Sequence, residues 1–339
     1  MTVYYPQEGQ VNRTEMYVNG MSLHYGSGTT VLVANGQCRD STNKNDIFIN
    51  TGASTPVAGE PVEQFYTTVN LSATGVGKLN GTQENYSASA SVPYTGILHV
   101  YAIGCSTSLP PIQSETIRKS VNADGVIATS LNPVTPLPLP PGFYVSQYNS
   151  LSVSQNPLLA SGYDSFRRVG SIRLIAGVLQ PFHQDDQQNS TNRTMWLDTP
   201  LAFGSDGDFT AAEYAALPAA DWTAPVGGTS HTISLLGYIP AQAITVIMGA
   251  QFLSDAGAAV NVALVTGVSG LSAATFPYSF VNIVGGVAST RYFGMLNIPI
   301  DLAAPVNGLQ SPNVKVLVAS DAVAPSTVKL RILGYVDNI

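Results

Sequence analysis

Apolar and polar residues alternate in short runs along most of the chain, and Gly, Pro, Asn and Asp cut the runs. A period of two is the pattern of a strand with one face in a core and the other in water. It predicts strands at 15–18, 22–25, 30–34, 46–49, 65–72 and 96–105 in the first half. Asn19-Gly20, Asn35-Gly36 and Asn80-Gly81 supply the positive-φ residues that tight hairpin turns require. In the second half the same pattern predicts strands at 231–236, 243–253, 260–266, 289–299, 313–319 and 327–335. There Val314, Val316 and Val318 share one parity, and Val328, Leu330 and Ile332 repeat the scheme. A helix is predicted only at 208–217, DFTAAEYAAL, where Asp or Thr caps an Ala-rich stretch and Pro218 stops it.

Strands and turns at this density predict an all-β fold with little helix. At 339 residues the chain exceeds the usual size of one core. Two β-sandwich, jelly-roll-like domains in series are expected. They are an N-terminal β domain over 1–190 and a jelly-roll-like sandwich over 191–339. Residues 131–142, LNPVTPLPLPPG, are locked by proline into extended polyproline II. They read as a linker or as a strap across the N-terminal sheet, and the strap is favoured.

Residues 162–173, GYDSFRRVGSIR, form a predicted strand in which Tyr163, Arg167, Val169 and Ser171 share one parity. Phe166, Arg168, Gly170 and Ile172 share the other. Arginines in mid-strand need partners. An Arg39-Asp40 pair follows Asn35-Gly36, where a hairpin must be pinned. Arg39, Asp40, Arg167 and Arg168 are therefore expected to be structural polar anchors, not a ligand site.

Composition sharpens this picture at one point. Hydrophobic residues reach an ordinary 45%, but charged residues only 10%, against roughly a quarter in typical domains. Such a chain covers itself with neutral polar groups or hides surface against partners, because interface cores are poor in charge. Self-association as a dimer or trimer is the expectation. The formal charge of −7 and the scattered lysines and arginines argue against nucleic-acid binding. The first residues, MTVYYPQEGQ, lack a signal-peptide pattern, and the apolar runs are too short for a transmembrane helix. Synthesis in a cytoplasm, no membrane partner and reduced Cys38 and Cys105 are the corresponding expectations.

Candidate chemistry is sparse. His24, His99, His183 and His231 are dispersed, and no common hydrolase, nucleotide or zinc signature occurs. His183-Gln184-Asp185-Asp186 is the nearest approach to a metal-ligand cluster. The loop at 204–208, GSDGD, lacks the further oxygen ligands of a calcium hand. Asp164, Asp185, Asp198 and Asp221 are too thinly spread to pair for glycoside hydrolysis. Sixteen tyrosines and Trp222 suit either sugar stacking or protein contacts. No catalytic, cofactor-binding or metal-ligating residue is assigned, and no enzyme is expected.

The chain resembles a group of tailed-bacteriophage virion structural proteins. The resemblance rests on VNGMSL at 18–23, TVLVANGQCRDSTN at 30–43, TVNLS at 68–72, LHVYAIG at 98–104, GYDSFRRVGSI at 162–172 and GYVD at 334–337. Its recurrent marks are Arg-Asp-Ser-Thr-Asn and Arg-Arg-hydrophobic-Gly-Ser. The sequence departs from the group at Leu79-Asn80-Gly81-Thr82, where Leu-Asp-Thr-Gly is usual. The resemblance implies a virion component without enzymatic activity, assembled in the host bacterial cytoplasm. A tail or neck fibre or collar protein is favoured. A receptor- or carbohydrate-binding fibre module and a capsid decoration protein are the alternatives. The implied partners are other copies, other virion proteins and, for the fibre alternative, a host-surface glycan.

Overall fold

The computed structural model describes residues 17–50, 66–105, 139–148, 163–185, 192–202, 208–210, 228–235, 237–253, 260–266, 279–283, 291–300, 313–320 and 327–339. Apart from one short 3-10 turn at Ala73–Gly75, these residues are strands, turns and loops, so the all-β expectation holds. Residues 131–138 of the expected Pro-rich strap lie outside the described residues.

The first strands form one long, bent hairpin. Strands β1 (Val18–Gly20) and β2 (Leu23–Ser27) make one arm, and β3 (Thr30–Ala34) and β4 (Gly36–Arg39) the other. β2 and β3 pair across a tip at Gly28 and Thr29, and β3 also pairs with β6 (Tyr66–Asn70). β1 instead pairs with β4, which pairs with β5 (Asp46–Ile49). Both arms thus leave one sheet and enter another.

The change of sheet corrects the turn assignment made from sequence. Asn19-Gly20 and Asn35-Gly36 are not hairpin tips; they sit opposite each other at the corner. Gly20 and Gly36 are register partners, and the Met21 amide donates to the Asn35 carbonyl at 3.4 Å. Gly20 takes φ +70°, and a Cβ on Gly36 would lie 2.3 Å from the Asn19 carbonyl oxygen. Glycine is needed there for conformation at one position and for space at the other. Gly36→Ala is expected to cost about 1–3 kcal/mol through overpacking. Denaturant unfolding measures it, and an unchanged midpoint would show that the corner relaxes.

Asn80-Gly81 is likewise no hairpin tip. Asn80, at φ 58°, donates its amide to the Phe143 carbonyl at 2.8 Å and accepts on Oδ1 from the Phe143 amide at 2.9 Å. Gly81 opens β7 (Gly81–Thr82), which runs parallel to β9 (Gly142–Ser146). A five-stranded sheet follows the order β11 (Val178–Leu179), β10 (Ser165–Ile175), β8 (Gly96–Gly104), β9, β7. Every position of β8 is buried, which accounts for its apolar run, broken by the single polar residue His99.

The second half has the strand order of a jelly roll. The strands are β13 (Asn192–Ala202), β15 (Gly228–Ser234), β16 (Ala243–Leu253), β17 (Val260–Thr266), β18 (Ser279–Ile283), β19 (Arg291–Pro299), β20 (Asn313–Ser320) and β21 (Thr327–Asn338). One sheet contains β13-β21-β16-β19 in that order, extended by β12 (Phe182–Gln184), and the other contains β15-β20-β17-β18. The antiparallel pairs β13/β21, β15/β20, β16/β19 and β17/β18 are those of one long ribbon rolled over two sheets.

The predicted helix at 208–217 is corrected at its start. Asp208–Thr210 forms β14 and pairs with Lys329, Val328 and Thr327 of β21. Around the irregularity between Trp196 and Leu201, β13 shifts its register against β21. A ladder position on β21 therefore outweighs the modest helix propensity of Asp, Phe and Thr. Residues 211–217 lie outside the described residues.

One buried cluster joins the two halves. It contains Leu23, Val33, Cys38, Val69, Leu98, Phe143 and Ile172 together with Met195, Val246, Ile298, Ile332, Tyr335 and Ile339. Residues 186–191, where the expected boundary between the two domains falls, lie outside the described residues. A smaller cluster of Tyr101, Ile103 and Tyr144 lies apart from it.

Candidate functional site

The chain's densest buried polar chemistry, among the described residues, lies where β10, the β1–β2 corner and the end of β21 meet. A bulge in β10 builds it. Arg168 pairs with Tyr101, yet Gly170 pairs with Val100, so Val169 is the extra residue. The bulge corrects the simple parity read from sequence: Arg168 and Ser171, three residues apart, come to the same side of the strand. The Arg168 Nη1 donates to Ser171 Oγ at 2.8 Å.

Arg168 also meets Asp337 of β21. Its Nη1 donates to both carboxylate oxygens, at 2.9 and 2.7 Å, and its Nη2 donates to the Asn338 carbonyl. Both side chains are buried. Two further arginines complete a clasp. Arg167 Nη2 donates to the Ile339 carbonyl at 2.7 Å. Arg193, the register partner of Asp337, donates to the Met21 carbonyl at 2.7 Å, to Val169 at 3.4 Å and to Gly20. The planar, multiply donating guanidinium is suited to gathering carbonyls from several segments.

Ser171 extends the network. His99, its register partner on β8, lies with Nδ1 3.0 Å from Ser171 Oγ. Burial, reinforced by the Arg168 charge, pulls the His99 pKa from 6.5 down to about 3, so the ring is neutral. Its unprotonated Nδ1 can then accept the Ser171 hydroxyl proton while Ser171 accepts from Arg168. Tyr335 donates to the Ser171 carbonyl at 3.1 Å, and burial, followed by the nearby Asp337 charge, drives its pKa far upward.

The Arg-Asp-Ser-Thr-Asn element packs beside this clasp. Ser41 donates from its amide and its hydroxyl to the Phe166 carbonyl, at 2.8 and 2.7 Å, and Asn45 donates to Ser165 Oγ at 3.1 Å. Asp40 is buried and organises the loop, accepting from the Lys44 amide, the Thr42 hydroxyl and the Asn45 amide group. Burial raises its pKa, but the hydrogen bonds from Lys44, Asn45 and Thr42 together outweigh that and lower it. Arg39 stays outside the buried clasp and forms a partly exposed ion pair with Asp46 at 2.9 Å. Cys38 lies beneath; burial, partly opposed by Arg167, pushes its thiol up to about 12.

Arg193, Asp337 and His99 were not singled out as anchors from sequence. Arg193 starts a strand beyond a polar stretch, and only the fold brings it to the corner at Gly20. Of the His183 cluster, Asp186 lies outside the described residues; Gln184 turns inward to accept from the Leu23 amide, while Asp185 accepts from Trp196 Nε1 at 3.0 Å. His183 approaches Asp185 to 3.7 Å at the surface. Among the described residues no group of three or more His, Cys, Asp or Glu is placed to hold a metal ion. Residues 204–207 of the acidic loop lie outside the described residues. The guanidinium donors of the clasp go to backbone carbonyls, to the Asp337 carboxylate and to the Ser171 hydroxyl.

No family model and no curated protein matches the chain. Solved structures align over 95% of it: infectious bursal disease virus of the Gx strain at 14% identity and TM-score 0.20, and of the Gt strain at 13% and 0.20. Particles derived from the same virus align at 11% identity with a TM-score of 0.19. The alignments cover 66%, 66% and 64% of those chains, so this chain spans less than two thirds of their length. TM-scores of this size do not establish a shared fold.

Proposed function

We propose that this chain is a non-enzymatic structural component of a tailed-bacteriophage virion that works through protein–protein contacts. The observation that carries this reading is where the two recurrent marks of the resemblance meet. Arg-Asp-Ser-Thr-Asn at 39–43 docks on Phe166, and Arg167 and Arg168 lock β10 to the last strand. The marks thus join segments distant in sequence through buried hydrogen bonds, which supports a structural reading.

A tail or neck fibre or collar role is the favoured placement, with self-association and contacts to other virion proteins and none to nucleic acid or membrane. Jelly-roll strand order favours a second reading, since that architecture is used by both capsid and lectin domains. Under it the chain decorates the capsid or binds a host-surface glycan. Mass spectrometry of purified particles should find the chain in stoichiometric amount, and immunogold label should fall on the tail or neck. Its absence from intact particles would sink the proposal. Uniform label over the head would move it to decoration, and saturable binding on a glycan array would favour the receptor reading.

A further inference from the structure

We infer that the N-terminal sheets and the jelly-roll strands open and close as one cooperative unit, because the last strand, β21, completes both. The inference goes beyond the role proposed above and does not depend on it. β21 lies between β13 and β16 in the jelly-roll sheet, yet its final residues are held from the other half. Arg168 of β10 takes the Asp337 carboxylate and the Asn338 carbonyl, and Arg167 takes the Ile339 carbonyl. Tyr335 donates in return to the Ser171 carbonyl at 3.1 Å. Further ties flank these. Arg193 of β13 donates to the Gly20 and Met21 carbonyls at the corner. Arg173 of β10 donates to the Gly237 carbonyl, with its guanidinium carbon 5.0 Å from the centre of the Tyr238 ring. β12 belongs to the jelly-roll sheet, but Gln184 at its end accepts from the Leu23 amide of β2.

These ties set the cost of opening one half alone. Local opening is cheap where few buried contacts break for the chain freedom gained. If the N-terminal sheets opened by themselves, the buried cluster that runs from Leu23 and Val33 to Val246, Ile298 and Tyr335 would be split. Arg167, Arg168, Arg173, Arg193 and Tyr335 would each lose a partner, while the jelly-roll strands, still paired, would gain no freedom. Opening the jelly roll alone loses the same contacts. The net stability of a folded chain is a small remainder of large opposing terms. The contacts that cross the halves are a large enough share of it that neither half keeps a favourable balance without them. By linkage, a contact made on one half then stabilises the other as well.

Native-state hydrogen exchange on the full chain, in urea concentrations below the unfolding transition, tests the inference. The slowest amides of β8 and β10 and those of β16 and β21 should reach one opening free energy with one urea slope. Val31→Ala, at a buried position of β3, should speed exchange in β16 and β21 by the same factor as in β8, at least tenfold. Ile298→Val, at a buried position of β19, should act in the reverse direction and speed exchange in β8 severalfold. Acceleration confined to the half that carries the substitution would overturn the single unit. So would a smaller urea slope in one half while the other stays protected. Either result leaves the proposed virion role standing, since two independently opening halves can still make virion contacts. If Val31→Ala does not fold, the wild-type urea series decides alone, because it needs no variant.

Discussion

Replacing Arg168 by alanine is expected to destabilise the folded chain by about 3–5 kcal/mol, the range for removing one member of a buried ion pair. The loss exceeds that of an ordinary surface pair because Asp337 would be left buried beside Tyr335, with the Asn338 carbonyl also losing a donor. Arg193 is its register partner but directs its guanidinium to the corner carbonyls of Gly20 and Met21, so it does not simply replace Arg168. Asp337→Ala should cost a similar amount, and Arg168→Met with Asp337→Leu less than either single change, since no charge is stranded. Urea unfolding with a fixed slope decides among these outcomes. An Arg168→Ala chain with wild-type stability but lost binding to a particle partner would show the clasp to be a recognition site.

The second large effect concerns acid. His99 is neutral in the folded chain, with a pKa of about 3 against 6.5 when unfolded. Above pH 6.5 it is neutral in both states and contributes no pH dependence. Below that, the unfolded chain takes up a proton that the folded chain refuses, so stability falls as pH drops. The slope approaches about 1.4 kcal/mol per pH unit and levels off near the folded pKa of about 3. His99→Gln should remove this slope between pH 6 and about 4. Asp40 acts in the same sense but lower, since its depressed pKa stabilises the fold above the usual 3.8 and that contribution fades below it. Chemical denaturation at several pH values compares the two chains. Parallel curves for wild type and His99→Gln would show that the imidazole is protonated in the fold.

Both effects depend on contacts that span the chain. Arg168 lies 169 residues from Asp337, and Arg193 172 from Met21. Sequence pattern reports local period and local turn chemistry, so it marked Arg167 and Arg168 as mid-strand arginines needing partners without naming the partners. It read Asp40 as pinning a hairpin at Asn35-Gly36, whereas in the fold Asp40 accepts from Thr42, Lys44 and Asn45 of the loop that follows it.

The strands at Thr30–Ala34, Asp46–Ile49, Ala243–Leu253 and Val260–Thr266 stand where their alternation put them, since the period of a half-buried strand is set by its own residues. The all-β class follows from the same cause. Three features were decided only by the tertiary structure. Asn-Gly pairs became a corner instead of turn tips, because Gly20 and Gly36 face each other across two sheets. Asp208–Thr210 became strand, because β21 offered it backbone partners. Arg168 turned to the side of Ser171, because a single bulged residue shifted the register of β10 against β8. In each case the competing local preferences differ by about 1 kcal/mol or less, while the long-range hydrogen bonds and burial that select between them are worth several times that.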